Sequence, residues 1–265
     1  TTGSGSVTLA LNTGSLVKTN YYFNGWTIAA SNYTAGGSYT LSGNVTATAR
    51  WSQYTITYAT TGSDSGSAPS ATNGYGTTAL ASNTGSLAKT GYYFDGWLIG
   101  ATSVAAGGNY NITGDATATP VWSQYQVTYL ATGSTGGSAP AATAGNGSVT
   151  LASNTGNLVK TNYYFNGWSL GAAGSSYNLT GNVNATPVWA QYTVTYDGNG
   201  KTGGSVPSAT QGYGTTALAT NSGTLVKSGY YFDGWLLGAT SVAAGGNYDI
   251  TGDVTATAVW SQYHV

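Results

Sequence analysis

Catalysis, metal binding and covalent cross-linking depend on a few side-chain types, and this chain of 265 residues holds few of them. It has one histidine, His264, seven aspartates, no glutamate and no cysteine. A Ser–His–Asp arrangement needs its imidazole buried between partners, whereas His264 stands beside the end of the sequence. Glycoside hydrolysis needs paired carboxylates. The acids are Asp64, Asp95, Asp115, Asp197, Asp233, Asp249 and Asp253, so residues 1–53 and 125–191 contain none. The missing cysteine excludes disulfides and thiolate metal sites, and no nucleophile stands where a neighbouring base would activate it. The expectation is a protein that is not an enzyme, with no catalytic residue, no cofactor and no metal.

Three weaker chemistries remain. Asp197-Gly-Asn-Gly200 resembles the start of a calcium loop, but the equivalent stretches elsewhere lack the Asp, and a hairpin turn explains it better. Lys18, Lys89, Lys160 and Lys227 recur at one position. A Lys–Asn isopeptide there would want a nearby acid, so a lysine stem lying on apolar surface is the expected role. Sequons occur at Asn32, Asn44, Asn111, Asn146, Asn178 and Asn184, and N-glycans there would supply solubility that charge does not.

That charge is scarce: 5% of residues, against about 25% in an ordinary soluble domain. Disorder does not follow, because disordered chains are poor in aromatics, and this one has 22 Tyr, 8 Trp and 4 Phe. A nearly neutral surface favours self-association. Five Lys and one Arg, scattered, make no phosphate-tracking surface, so nucleic acid is not expected as a partner. No apolar run is long enough to span a membrane. With no Met and no initiator, the sequence reads as a processed product or a fragment.

The elements that carry these residues repeat. Tyr-Tyr-Phe-(Asn/Asp)-Gly-Trp appears at 21–26, 92–97, 163–168 and 230–235, and each copy is followed by a second Trp at 51, 122, 189 and 260. A period near 70 residues means tandem small domains. The expected units are 1–53, 54–124, 125–191 and 192–262, with 263–265 starting another. Trp26, Trp51, Trp97, Trp122, Trp168, Trp189, Trp235 and Trp260 recur in every unit and are assigned to cores. The first Trp lies 13 residues before a Tyr in three units but 9 in the third, which predicts a surface loop there. Tyr54-Thr-Ile-Thr-Tyr58, 125–129, 192–196 and Val254–Trp260 alternate as strands do. The only helix candidate, a short one, is near Ser86–Lys89. Strict alternation would put Tyr22 and Trp26 on one face and Tyr21 and Phe23 on the other. That leaves Tyr22, Tyr93, Tyr164 and Tyr231 as candidates for contact with a neighbouring unit or a glycan.

The order of a Tyr-x-Val-Thr-Tyr strand, a Gly203-Gly-Ser-Val-Pro207 turn, Gly229–Trp235 and a closing Thr-x-Thr-Ala-x-Trp strand resembles the Listeria–Bacteroides repeat family, relatives of the internalin B-repeat. The resemblance implies a mainly β, β-grasp-like unit, four times in an elongated array on a bacterial cell surface. Two departures stand out: Tyr22, Tyr93, Tyr164 and Tyr231 replace a Thr of the family motif, and most of its surface charge is gone.

Formal charge alternates along the units, +2, −2, +1 and −2, which could set the register of neighbours. The array is also cut out of phase. Unit 1 lacks its first strand, while Tyr263-His264-Val265 begins one. Either the sequence is a window on a longer chain, which three residues favour, or one copy's end complements the next as a donor strand. Both lead to an extracellular or cell-surface structural protein: a filament, stalk or surface layer joined head to tail by β-strand complementation. Its partners would be copies of itself or further repeats. The alternative is an adhesin or carbohydrate-binding array whose partners are surface glycans.

Overall fold

The computed structural model describes residues 4–263. They form two compact units divided between Gln124 and Tyr125. All regular elements are β-strands; among the described residues there is no helix, and so none long and apolar enough to cross a membrane.

In the first unit, the alternating segment Tyr54–Tyr58 forms an opening strand. Its period of two sends Ile56 and Tyr58 into the core and leaves Thr57 exposed. The Tyr-Tyr-Phe-Asp-Gly-Trp segment lies on a motif strand, Tyr93–Ile99, and Ala116–Ser123 is the closing strand. The sheet order is Thr102–Val104, motif strand, closing strand, opening strand, Thr72–Gly74. Only the closing and opening strands run parallel, with Ala116 opposite Ile56 and Ala118 opposite Tyr58. A separate pair, Gly76–Ala79 with Asn109–Ile112, brings Ile112 onto the same core as Ile56, Leu80, Leu87, Trp97 and Ile99. Residues 5–52 hold the counterparts of this pair, Gly5–Thr8 with Ser38–Leu41, and a sheet of Ser31–Tyr33, Tyr22–Ile28 and Thr48–Ser52. Among the described residues, nothing there stands for the opening strand or its Thr72–Gly74 neighbour.

The second unit repeats the complete pattern in residues 192–261, again with a parallel pair, Val254 opposite Val194. Residues 125–190 repeat it with two differences: the closing strand is broken into Val183–Ala185, beside the opening strand, and Pro187–Ala190, beside the motif strand, and the outer strand is lost. The nine-residue spacing between Trp168 and Tyr177 removes the outer strand that Thr102–Val104 and Thr240–Val242 form elsewhere. Trp168 and Gly171 instead exchange backbone hydrogen bonds of 2.9 and 3.0 Å. The length change therefore falls on an edge strand, which a sheet can lose without opening its core, rather than on a simple loop.

One local expectation is corrected, and the short helix candidate that directly follows Gly85 is not formed. Phe23 and Trp26 do not lie on opposite faces; their rings pack edge to face at 5.1 Å, as do Phe94 and Trp97 at 4.9 Å. A bulge between Phe23 and Trp26 adds one residue against the closing strand and resets the alternation. Its cause is the motif glycine: Gly25 has φ +105°, and a Cβ there would collide with Tyr33 O, as one at Gly96 would with Val104 O. Around Ser86–Lys89 there is a turn in place of a helix. The Asn83 side chain spans it, accepting Leu87 N–H and donating to Leu87 O, both at 2.8 Å. Asn12, Asn154 and Asn221 do the same for Leu16, Leu158 and Leu225. A side chain that satisfies the backbone locally competes with a helix.

Candidate functional site

The carboxylates are engaged in local structure. Asp115 Oδ1 accepts Thr55 N–H and Asp253 Oδ1 accepts Thr193 N–H, each at 2.7 Å, pinning the opening strand to the closing strand. Asn182 does this at 2.9 Å for Gln126. Asp95 and Asp233 accept the hydroxyls of Ser123 and Ser261, where Asn24 donates to Ser52. Asn182 thus accepts as Asp115 and Asp253 do, while Asn24 donates where Asp95 and Asp233 accept. Asp197 accepts Asn199 N–H at 3.0 Å, and Asn199 reaches Ala258 O, so this segment opens a loop rather than a tight hairpin. Among the described residues, no three of His, Cys, Asp or Glu come together; His264 and Val265 lie outside them.

Asp64 accepts Thr90 N–H at 2.7 Å. That backbone bond, then the Thr90 hydroxyl and the nearby Lys89 charge, hold its carboxyl below the ordinary 3.8. Because folding lowers this pKa, the bond helps the fold at neutral pH. Its help fades as pH falls from the ordinary carboxylate range through the lowered value. In an NMR titration the Thr90 amide should therefore shift with a midpoint below that of a free aspartate; an ordinary midpoint would contradict the assignment.

The eight tryptophans divide into two sets. Trp97, Trp168 and Trp235 are buried, and their indole N–H groups donate to Ala81, Ala152 and Ala219 carbonyls at 2.8, 2.7 and 2.8 Å. Trp26 makes the same bond to Ala10 at 2.7 Å but is only half-buried. Trp51, Trp122, Trp189 and Trp260 are half-buried rim residues, edge to face on Phe23, Phe94, Phe165 and Phe232. The Trp189 indole nitrogen is buried without a partner, whereas Trp260 reaches Asn199 O at 3.0 Å.

Each opening strand ends in a tyrosine that locks the core. Tyr58, Tyr129 and Tyr196 accept the N–H groups of Ala81, Ala152 and Ala219, each at 2.7 Å, and share a hydrogen bond with Thr72, Thr143 and Thr210. Tyr196→Phe would leave Ala219 N–H and the Thr210 hydroxyl without this partner. The expected loss is about 1–3 kcal/mol, read as a lower urea midpoint with an unchanged slope; an unchanged midpoint would contradict it.

The recurring lysines face aromatic rings. Lys18, Lys89, Lys160 and Lys227 place Nζ 4.0, 4.2, 4.1 and 5.0 Å from the ring centres of Tyr21, Tyr92, Tyr163 and Tyr230. The first tyrosine of each motif is thereby a cation–π partner, which the spacing Lys-x-x-Tyr could have signalled. Of the sequon residues, Asn32, Asn44, Asn111, Asn178 and Asn184 are exposed and Asn146 is half-buried.

The second motif tyrosine builds a joint. Within the first unit the closing strand Thr48–Ser52 passes through one residue, Gln53, into the opening strand at Tyr54. Gln53 Nε2 donates to Asn20 O at 3.1 Å. Tyr22 stacks on Tyr54, centroids 4.5 Å apart at 18°, and Tyr75 closes over the pair at 5.7 and 6.4 Å. The second unit has the same joint: Tyr164 on Tyr192 at 4.4 Å and 17°, Tyr213 at 5.8 and 6.4 Å, and Gln191 on Asn162 O at 3.2 Å. Tyr93 is half-buried. Tyr231 meets Tyr263 at 4.7 Å, and Tyr263 is itself 83% exposed. Tyr54, Tyr75 and Gln53 are the parts of this joint that sequence reasoning did not single out. For Gln53 and Tyr54 the available signal was the recurrence of Ser-Gln-Tyr or Ala-Gln-Tyr after every closing strand; for Tyr75 it was the Gly-Tyr-Gly that returns only at Tyr213.

The Listeria-Bacteroides repeat domain model matches residues 54–118, 125–187 and 192–259. The chain belongs to this family. No curated protein matches it. The three matched Listeria-Bacteroides repeats are the three stretches that hold both an opening and a closing strand.

Proposed function

We propose that this chain is a non-enzymatic structural protein of the cell exterior, part of a filament, stalk or surface layer. Family membership supports a surface repeat protein. In this reading there are four β-grasp-like repeats, 1–53, 54–124, 125–191 and 192–262, with the Asn-spanned turn in place of a helix. Copies join head to tail by β-strand complementation.

The observation that carries the reading is the tyrosine joint. Repeat follows repeat through a single glutamine, with stacked rings across the step at Tyr22–Tyr54 and again at Tyr164–Tyr192. Such pairs add about 0.5–1.5 kcal/mol beyond the area they bury, which suits a stiff linkage. Tyr231 and Tyr263 repeat the first step of the joint. Tyr22 and Tyr164 turn a ring face to another tyrosine, so no observation favours the glycan-binding alternative for them.

Sedimentation velocity over a concentration series tests the assembly. Growth into long species as concentration rises is the expected result; a single monomeric boundary at every concentration would refute it.

A further inference from the structure

The joint tyrosines carry a chemistry that their packing leaves unused. A phenylalanine ring stacks as a tyrosine ring does, yet both joints are built from phenols: Tyr22, Tyr54 and Tyr75 in one, Tyr164, Tyr192 and Tyr213 in the other. In the cores, the hydroxyls of Tyr58, Tyr129 and Tyr196 are bonded to Thr72, Thr143 and Thr210. Among the described residues, the six joint hydroxyls have no such bond. Beyond a hydrogen bond, what a phenol adds to a ring is ready one-electron oxidation.

Three observations favour that chemistry here. The first is geometry. Tyr22 and Tyr54 lie nearly parallel at 4.5 Å and 18°, Tyr164 and Tyr192 at 4.4 Å and 17°, so two phenol rings are already face to face in each joint. The second is access. Tyr75 and Tyr213 close over the two stacks and are 43 and 42% exposed, which opens each cluster to an oxidant in solvent. The third is composition. Thiols and thioethers are the usual sinks for an oxidant, and this chain has no Cys and no Met.

We propose that each stack is an oxidative cross-linking site, where hydrogen peroxide acting through a haem peroxidase joins the two tyrosines as dityrosine. Each phenol gives up one electron and its hydroxyl proton. The two electrons and two protons reduce one peroxide molecule to two waters. The two phenoxyl radicals then pair, forming one carbon–carbon bond between the Cε positions. The hydrogen on each joined carbon leaves as a proton and one returns to each phenolic oxygen, so both rings are aromatic again and the pair has lost two hydrogen atoms. Holding the two reactants in contact gives them a large effective concentration, so the stacked rings couple with each other before they meet a second chain. Tyr33 and Tyr39 also touch, at 5.2 Å, but at 89° the edge of one ring meets the face of the other. A stacked pair reaches the bond by sliding one ring along its neighbour, whereas this pair would have to turn a whole ring. Tyr22 and Tyr54 stand in successive repeats, as do Tyr164 and Tyr192, so each bond would strap its joint covalently. The strap lies within one chain and does not depend on head-to-tail assembly.

The test treats the whole chain, dilute enough to stay monomeric, with a haem peroxidase and hydrogen peroxide. Dityrosine fluorescence should appear in protein that still migrates as one chain on a denaturing gel. Digestion and mass spectrometry should find peptides linked through Tyr22–Tyr54 and Tyr164–Tyr192, each two hydrogen atoms lighter than its parts and at least tenfold more abundant than a Tyr33–Tyr39 link. The linked chain should unfold at a higher urea concentration, because a cross-link restricts the unfolded state as a disulfide does. Replacing Tyr22 and Tyr164 together with Phe keeps the stacked rings, so circular dichroism should not change while the dityrosine yield at least halves. No dityrosine, dityrosine confined to species of two or more chains, links as abundant at Tyr33–Tyr39 as at the stacks, or an unchanged yield from the double variant would each overturn the proposal.

Discussion

Gly85→Ala should strongly destabilise its repeat, while Gly14→Ala at the equivalent position should leave stability unchanged. At Gly85 the new methyl would lie 1.7 Å from Ser67 O, a backbone atom held by its own bond from Ser67 N–H to Gly85 O at 2.9 Å. Neither partner can move without breaking the loop that seals Leu87. Overpacking of a core costs about 1–3 kcal/mol and occasionally more. A clash with fixed backbone belongs at or above the top of that range. For a domain of this size, with total stability of about 5–10 kcal/mol, the loss is a large share of the whole. Hydrogen exchange resolved by segment would check it: protection should fall in residues 54–124 for Gly85→Ala and nowhere for Gly14→Ala. Equal effects at the two sites would show that the loop does not make the difference.

Trp235→Ala should cost about 3–5 kcal/mol, the range for removing a large buried aromatic ring. The indole fills the centre of the core beside Val194, Leu218, Leu225 and Ile250. It packs against Tyr196 at 4.6 Å and Phe232 at 5.0 Å, and its N–H satisfies Ala219 O. Trp26→Ala should cost clearly less, because Trp26 lines an open groove and is only half-buried. Urea unfolding followed by segment-resolved exchange separates the two. A Trp26→Ala penalty equal to that of Trp235→Ala would mean that residues 4–53 already have a closed core.

The repeat and the alternating strands were legible from spacing alone, because a period of two and a period near 70 are written directly in the chain; spacing did not separate the buried Trp97, Trp168 and Trp235 from the half-buried Trp26, Trp51, Trp122, Trp189 and Trp260. Three features were not. The bulge depends on the motif glycine, Gly25, lying against Tyr33 O on a neighbouring strand, so the alternation through Phe23 and Trp26 was misread. The turn at Ser86–Lys89 depends on one side chain, Asn83, outbidding a helix for Leu87. The partner of Tyr22 lies in the following repeat, and no local pattern announces that Tyr54 will stack on it.

Electron microscopy of the 265-residue chain at micromolar concentration tests the proposed head-to-tail assembly most directly. The account predicts long uniform fibres. Single particles at every concentration would contradict it.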